Sequence, residues 1–94
     1  MISDEIRQLI ESAAQSLKAA GAREVYLFGS AASGQMREDS DIDLAVSGLP
    51  PELFYRAGAA AEDALGRPLD LIDLDEVTPF TKYLKEESEL LRVG

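Results

Sequence analysis

The sequence predicts an α+β fold in which a small mixed β-sheet carries helices packed mainly on one face. Apolar residues recur at helical spacing near the N-terminus and again near the middle of the chain. Between these stretches lie short runs rich in valine, isoleucine, leucine and aromatic residues, which are typical of strands. The first two runs are joined by a polar loop and the next two by a helix, so antiparallel and parallel pairs are both expected. A length of 94 residues is expected to form one domain, 1–94.

Residues 3–20 are predicted to form an amphipathic helix. Ser3 suits the N-cap, Asp4 and Glu5 suit the positive end of the helix dipole, and Gly21 suits the position just beyond the last turn. The residues that would face the core are spaced three or four apart: Ile6, Leu9, Ile10, Ala13, Ala14, Leu17 and Ala20.

The next segment predicts two antiparallel strands joined by a loop. Residues 23–28 form an apolar run that ends at Gly29-Ser30, and residues 41–46 alternate polar and apolar at their start. The small, polar residues between these runs leave room for one helical turn. Antiparallel pairing places the end of the first strand beside the start of the second.

The second half of the chain predicts a helix, a strand, a helix and a short edge strand. Pro51 suits the first turn of a helix that ends at Gly66, and residues 69–74 form the third strand. A helix between the second and third strands favours a right-handed parallel crossover, so those strands start side by side. Thr78-Pro79 begins the last helix, and residues 90–93 are expected at the sheet edge.

Composition excludes several kinds of site. The chain contains no cysteine and no histidine, so disulfides, thiolate or imidazole metal sites and histidine acid–base catalysis are absent. A net charge of −9 argues against binding a nucleic-acid backbone, which requires clustered lysine and arginine. The acidic N-terminal residues and the lack of a long apolar run favour a cytoplasmic protein that does not enter a membrane.

Three carboxylates and a glycine-serine turn are predicted to meet at one end of the sheet. Asp41 and Asp43 are two residues apart on a strand and therefore share a face, and the parallel crossover brings Asp70 beside them. Gly29 allows the backbone to approach a phosphate closely, and Ser30 offers a hydroxyl and an N–H group. Taken singly, the carboxylates also suit a solvent-facing strand and the glycine an ordinary turn.

Together these groups suit a divalent cation and a triphosphate. Mg²⁺ takes oxygen ligands, typically one or two carboxylates with waters and substrate phosphates. Like charges held side by side repel one another unless a cation or water separates them.

The spacing of these residues resembles the nucleotidyltransferase superfamily that includes DNA polymerase beta, and its minimal, MntA-type antitoxin members most closely. The similarity runs from Leu27-Phe28-Gly29-Ser30 through Ser40-Asp41-Ile42-Asp43 to Leu69-Asp70 and the C-terminal region. It covers about two-thirds of the chain. The resemblance implies a DNA polymerase beta-like nucleotidyltransferase fold. It also implies that Asp41, Asp43 and Asp70 hold Mg²⁺, with Mn²⁺ as a substitute, and that Gly29 and Ser30 contact the phosphates of ATP.

One part of the loop differs from the pattern of the family it resembles. Minimal members often carry arginines shortly after the glycine-serine pair, whereas this chain has Ala31, Ala32 and Ser33 there. Arg37 lies in the same loop. It is either a replacement that binds nucleotide or a solvated loop arginine.

The resemblance implies transfer of AMP from ATP to a hydroxyl group of an acceptor. It also implies that Asp70 accepts the proton of that hydroxyl group. The implied acceptor is a tyrosine of a small helical HEPN-type toxin encoded beside the antitoxin. The alternative is a catalytically silent binding module that neutralises a toxin by docking alone. Transfer to RNA or to an antibiotic is less favoured because no basic groove or second lobe is visible. The base preference and any homo-oligomer are left open.

Overall fold

The computed structural model describes residues 4–29, 32, 41–87 and 90–94. A 3₁₀ turn at Pro51–Leu53 precedes the second helix. The elements, in chain order, are helix α1 (Asp4–Ala19), strands β1 (Glu24–Phe28) and β2 (Ile42–Ser47), helix α2 (Phe54–Leu65), strand β3 (Leu69–Asp73), helix α3 (Pro79–Glu86) and strand β4 (Leu91–Arg92). Among these residues, no helix combines the length and the apolar character needed to cross a membrane.

The four strands form one mixed sheet in the order β3-β2-β1-β4. Strand β1 pairs antiparallel with β2 and with β4, whereas β2 and β3 are parallel. This topology confirms the predicted hairpin-like first pair, the parallel crossover and the C-terminal edge strand. It brings the end of β1 and the starts of β2 and β3 to the same end of the sheet.

One face of the sheet is covered by α1 and α2. Both helices present alanines at their contact surfaces, and Ala13, Ala14, Ala57 and Ala61 are at most 2% exposed. Small side chains allow the helices to approach each other and the sheet closely. The larger buried residues of this core come from both helices and from alternate positions of β1 and β2: Ile10, Leu17, Val25, Leu27, Ile42, Leu44, Val46 and Leu65.

The opposite face carries a smaller cluster, to which α3 contributes Leu84. Phe28, Ala45 and Leu74 are its other buried members, and Ile72 packs against it. The helices are therefore packed mainly on one face, as predicted; the structure adds that the short α3 covers the other face. This second face is the one toward which Asp43 and Asp70 project, because side chains alternate along a strand.

Helix α3 begins with a capping box. Thr78 is the N-cap, its hydroxyl accepting from the Thr81 N–H at 3.1 Å, and the Thr78 N–H donates to Thr81 Oγ1 at 3.0 Å. Thr81 is buried, and its hydroxyl donates to the Glu76 carbonyl oxygen at 2.6 Å. These bonds satisfy backbone groups at the start of the helix and join it to the segment that leaves β3.

Asp75 joins the ends of strands β2 and β3, at the end of the sheet opposite Asp43 and Asp70. Its two carboxylate oxygens accept from the Gly48 N–H at 2.6 Å and from the Ser47 hydroxyl at 2.9 Å. The Gly48 bond is the main cause that lowers the pKa of Asp75 below its ordinary value, followed by the Ser47 bond and the charges of Lys85 and Arg23. The exits of β2 and β3 are thus tied to each other.

Candidate active site

Asp43 and Asp70 are direct partners across the parallel β2–β3 pair. Adjacent strands lie about 4.8 Å apart, and partners in register project to the same face, so the two carboxyl groups are neighbours. The predicted juxtaposition follows from the register. Asp70 is exposed, whereas Asp43, on the inner strand β2, is half-buried.

The pKa of Asp43 is raised above its ordinary value. Its partial burial contributes most; the charge of Asp70, a hydrogen bond between the two carboxyl groups and the charge of Asp41 follow. A hydrogen bond between two carboxyl groups requires a proton on one of them. Either a proton or a cation therefore relieves the repulsion between Asp43 and Asp70.

Asp41 lies just before β2 and is exposed. It is two residues from Asp43 and contributes to the raised pKa of that residue, so its charge reaches the carboxylate pair. The structure thus brings Asp43 and Asp70 side by side and places Asp41 at the edge of the site.

Gly29 packs directly against the Asp43 carboxyl group. A Cβ atom at position 29 would collide with Asp43 Oδ2 and would lie 3.1 Å from Asp43 Cγ. The backbone of Gly29 also has φ +76°, a conformation that glycine adopts without the steric cost other residues incur. The position therefore requires glycine for both its backbone conformation and its contact with the carboxylate.

Two of the predicted nucleotide-binding residues, Ser30 and Arg37, lie outside the described residues. Their roles stay predictions.

The donor chemistry of the carboxylate pair fits a hard divalent cation. Mg²⁺ is typically held by one or two carboxylates, with the remaining ligands supplied by water and substrate phosphates. Asp43 and Asp70 supply that number, and the Asp43 carboxyl group lies where a side chain of residue 29 would begin. Within the described part of the chain, no group of three or more acidic side chains is arranged to hold a metal on its own. Phosphate oxygens would thus have to complete such a site.

The sequence-based predictions did not include an aromatic pair, Phe28 and Phe80, of which Phe28 lies beside Asp43. Phe28 is the partner of Asp43 across the β1–β2 pair, and its ring meets that of Phe80 edge-on with centroids 6.3 Å apart. The strand alternation could have placed Phe28 next to Asp43. The position of Phe80 depends on how α3 packs across the sheet, which no local pattern specifies.

Comparisons with known proteins extend these observations. Residues 8–92 match the family described as Polymerase beta, Nucleotidyltransferase. Comparison with curated proteins gives no match. Among solved structures, the chain is similar to a minimal nucleotidyltransferase, with a TM-score of 0.74, 29% identity and 95% of each chain covered.

Two toxin–antitoxin structures share the fold. One, a toxin–antitoxin with AMP-PNP, has a TM-score of 0.69 and 21% identity over 98% of this chain and 73% of that chain. The other, the toxin–antitoxin MntA-HepT, has a TM-score of 0.61 and 22% identity over 93% of this chain and 71% of that chain. The family match includes every strand and all three helices of the described chain except the first turn of α1. The chain belongs to the polymerase beta nucleotidyltransferase family.

Proposed function

We propose that this protein is a metal-dependent nucleotidyltransferase that moves AMP from ATP to a hydroxyl group of a protein partner. We further propose that the acceptor is a tyrosine of a HEPN-type toxin, which would make the chain an antitoxin. Family membership supports transferase chemistry. The toxin–antitoxin structures with the same fold, one of them with AMP-PNP, support the nucleotide and the kind of partner.

The observation that carries the proposal is the pairing of Asp43 with Asp70 beside Gly29. Two adjacent carboxylates, one of them half-buried with a raised pKa, repel each other and lower the stability of the fold when both are ionised. A cation bound together with a phosphate chain would relieve the repulsion, and the glycine at position 29 lets the Asp43 carboxyl group lie against the backbone at the end of β1. The pair therefore fits a binding site better than a solvent-facing strand.

In the proposed reaction, the acceptor oxygen forms a bond to the α-phosphorus of ATP. The bond from the α-phosphorus to its bridging oxygen breaks, and pyrophosphate leaves. Bound Mg²⁺, held by Asp43 and Asp70 with Asp41 nearby, would supply stabilisation of the charge that develops on the phosphate oxygens. Asp70 is exposed and can accept the proton of the acceptor hydroxyl, whereas Asp43 is more enclosed.

The backbone at Gly29 is proposed to line the phosphate chain, together with Ser30. A side chain at position 29 would collide with the Asp43 carboxyl group and push it away. Arg37 is proposed to contribute positive charge toward the triphosphate, a role that its position in the loop alone supports.

The experiment that tests the proposal measures transfer directly. The chain is co-expressed with the product of its neighbouring gene, purified, and incubated with Mg²⁺ and α-labelled ATP. Intact-mass analysis is expected to show one added adenylyl group on the partner, and peptide mapping is expected to locate it on a tyrosine.

Two variants make the result specific. Asp43→Asn removes a proposed ligand, whereas Asp63→Asn makes the same change in charge at an exposed position of α2. Label is expected with wild type and Asp63→Asn and not with Asp43→Asn. Neutralisation of the toxin by Asp43→Asn as effective as that by wild type would instead establish the docking-only alternative.

A further inference from the structure

Phe28, one member of the aromatic pair Phe28–Phe80, lies in the same row of the sheet as the carboxylates. Phe28 is the neighbour of Asp43 across the β1–β2 pair, and Asp43 is the neighbour of Asp70 across the β2–β3 pair. All three side chains project to one face. Phe80, on helix α3, meets Phe28 edge-on, with ring centroids 6.3 Å apart and an interplanar angle of 64°.

The two rings differ sharply in exposure. Phe28 is 7% exposed and belongs to the core under α3, whereas Phe80 is 48% exposed. The edge-on contact with Phe28 therefore uses only part of the Phe80 ring and leaves the remainder in solvent. The exposed part of the ring is apolar surface that a bound aromatic ligand can cover with a gain in free energy.

The position of the Phe80 ring is held by its surroundings. Helix α3 starts at a capping box of Thr78 and Thr81, and the buried Thr81 hydroxyl bonds to the Glu76 carbonyl oxygen. The ring itself rests against the buried Phe28. A ligand that contacts Phe80 would thus have to order little of the protein, which favours binding.

We propose that Phe80 is the stacking surface for the nucleobase of the triphosphate. This inference rests on the proposed function, because it assumes that the phosphates meet the Asp43–Asp70 pair. Phe80 contacts the buried Phe28, and Phe28 lies one strand, about 4.8 Å, from Asp43, so the exposed part of the Phe80 ring is near enough for one nucleotide to reach both the ring and the carboxylates. Base–aromatic stacking tolerates any base, so only a weak preference among nucleotides is expected.

Calorimetric titration with two probes tests this placement. Mg²⁺–ATP carries the base, and Mg²⁺–tripolyphosphate carries only the phosphates. In Phe80→Leu, affinity for ATP is expected to fall by about 5- to 150-fold, the usual range for loss of one base–aromatic stack, with the affinity for tripolyphosphate unchanged. Phe80→Trp is expected to keep the affinity for ATP, since it preserves an aromatic surface.

Tyr83→Leu is the matched control. Tyr83 is on the same helix and is 55% exposed, but it is not part of the pair with Phe28. Tyr83→Leu is expected to change neither the affinity for ATP nor that for tripolyphosphate. The melting temperatures of Phe80→Leu, Phe80→Trp and Tyr83→Leu report whether α3 stays folded.

The outcomes separate the two proposals. Equal losses of affinity for ATP and tripolyphosphate in Phe80→Leu, or no loss of either, would overturn the stacking role and leave the proposed function standing. Unchanged ATP affinity with reduced labelling of the partner would also overturn it, because the ring would then contact the acceptor. Failure of the wild type to bind either probe would overturn the proposed function itself.

Discussion

The Asp43 carboxyl group occupies the space in which a side chain of residue 29 would begin. A Cβ on Gly29 would meet Asp43 Oδ2, so the glycine that follows β1 and the second residue of β2 depend on each other. This contact places a backbone without a side chain beside a half-buried carboxylate with a raised pKa. A larger residue at position 29 would therefore have to displace the carboxyl group.

Gly29→Ala is expected to damage both stability and function. The left-handed backbone alone costs a residue with a Cβ about 1–2 kcal/mol, and the contact with Asp43 adds to that cost. Gly66→Ala is the matched control, because Gly66 has φ +75° but nothing within 4 Å of the position that a Cβ atom would take. Urea denaturation is expected to show the backbone cost in both variants. Loss of nucleotide binding is expected only in Gly29→Ala, and its loss in Gly66→Ala as well would contradict the steric argument.

Asp43→Asn is expected to stabilise the ligand-free protein while abolishing its response to Mg²⁺ and ATP. A folded-state pKa above the ordinary value means that the ionised carboxylate destabilises the fold at neutral pH, and asparagine removes that charge. A ligand at a hundredfold excess over its Kd stabilises the wild type by about 2.7 kcal/mol, which corresponds to roughly 10–20 °C for a domain of this size.

Thermal melts with and without Mg²⁺–ATP check both parts of the Asp43→Asn prediction. Asp63→Asn serves as the control for net charge and is expected to keep the ligand-induced shift. A lower melting temperature of ligand-free Asp43→Asn would show that the carboxylate is not a source of strain.

The Asp75 bonds are expected to make stability depend on pH in the acid range. The pKa of Asp75 is lowered from an ordinary value of 3.8, so its contribution is present above that value and is lost as the pH falls through the lower folded-state pKa. Because the carboxylate is exposed, Asp75→Asn is expected to cost less than about 1 kcal/mol at neutral pH. The difference in melting temperature between wild type and Asp75→Asn should shrink as the pH is lowered below 3.8. A difference that stays constant with pH would assign the effect to packing.

Thr81→Val is expected to loosen α3. The substitution keeps the volume but removes the hydroxyl that donates to the Glu76 carbonyl oxygen, at a cost of about 1–3 kcal/mol for the unsatisfied partner. Thr81→Ser keeps the hydroxyl and is expected to lose only about 0.8 kcal/mol for the missing methyl group. Chemical denaturation measures both. A smaller cost for valine than for serine would show that packing, not the hydrogen bond, anchors the helix.

The arrangement of elements was predictable because each depends on a local pattern. Gly66 ends α2 in a left-handed conformation, as its position after an apolar stripe predicts. The apolar run at residues 69–74 predicts a strand that begins beside β2, and the pairing of Asp43 with Asp70 follows from that register. The 3₁₀ turn that Pro51 begins, ahead of α2, differs from the predicted direct start because proline fits the first turn of either helix type.

Contacts between distant segments were not predictable. Apolar periodicity indicates that α3 has a buried side, but the sheet face that it covers depends on the connection after β3. The approach of Phe80 to Phe28 and the bonds from Asp75 to Ser47 and Gly48 arise from that packing. Ser30 and Arg37 lie outside the described residues, so their proposed roles stay predictions.

The two faces of the sheet are covered unequally by helices, and they are expected to tolerate amino-acid substitutions to different extents. The face under α1 and α2 holds most of the buried apolar residues, and substitutions there remove packing that the fold needs. Val77, Phe80 and Tyr83 are exposed on or just before α3 and contribute little to the core. A library randomised at these three positions should yield mostly folded proteins, whereas one randomised at Leu17, Leu44 and Leu65 should not. Side chains on this face can therefore change while the free energy of folding stays nearly constant.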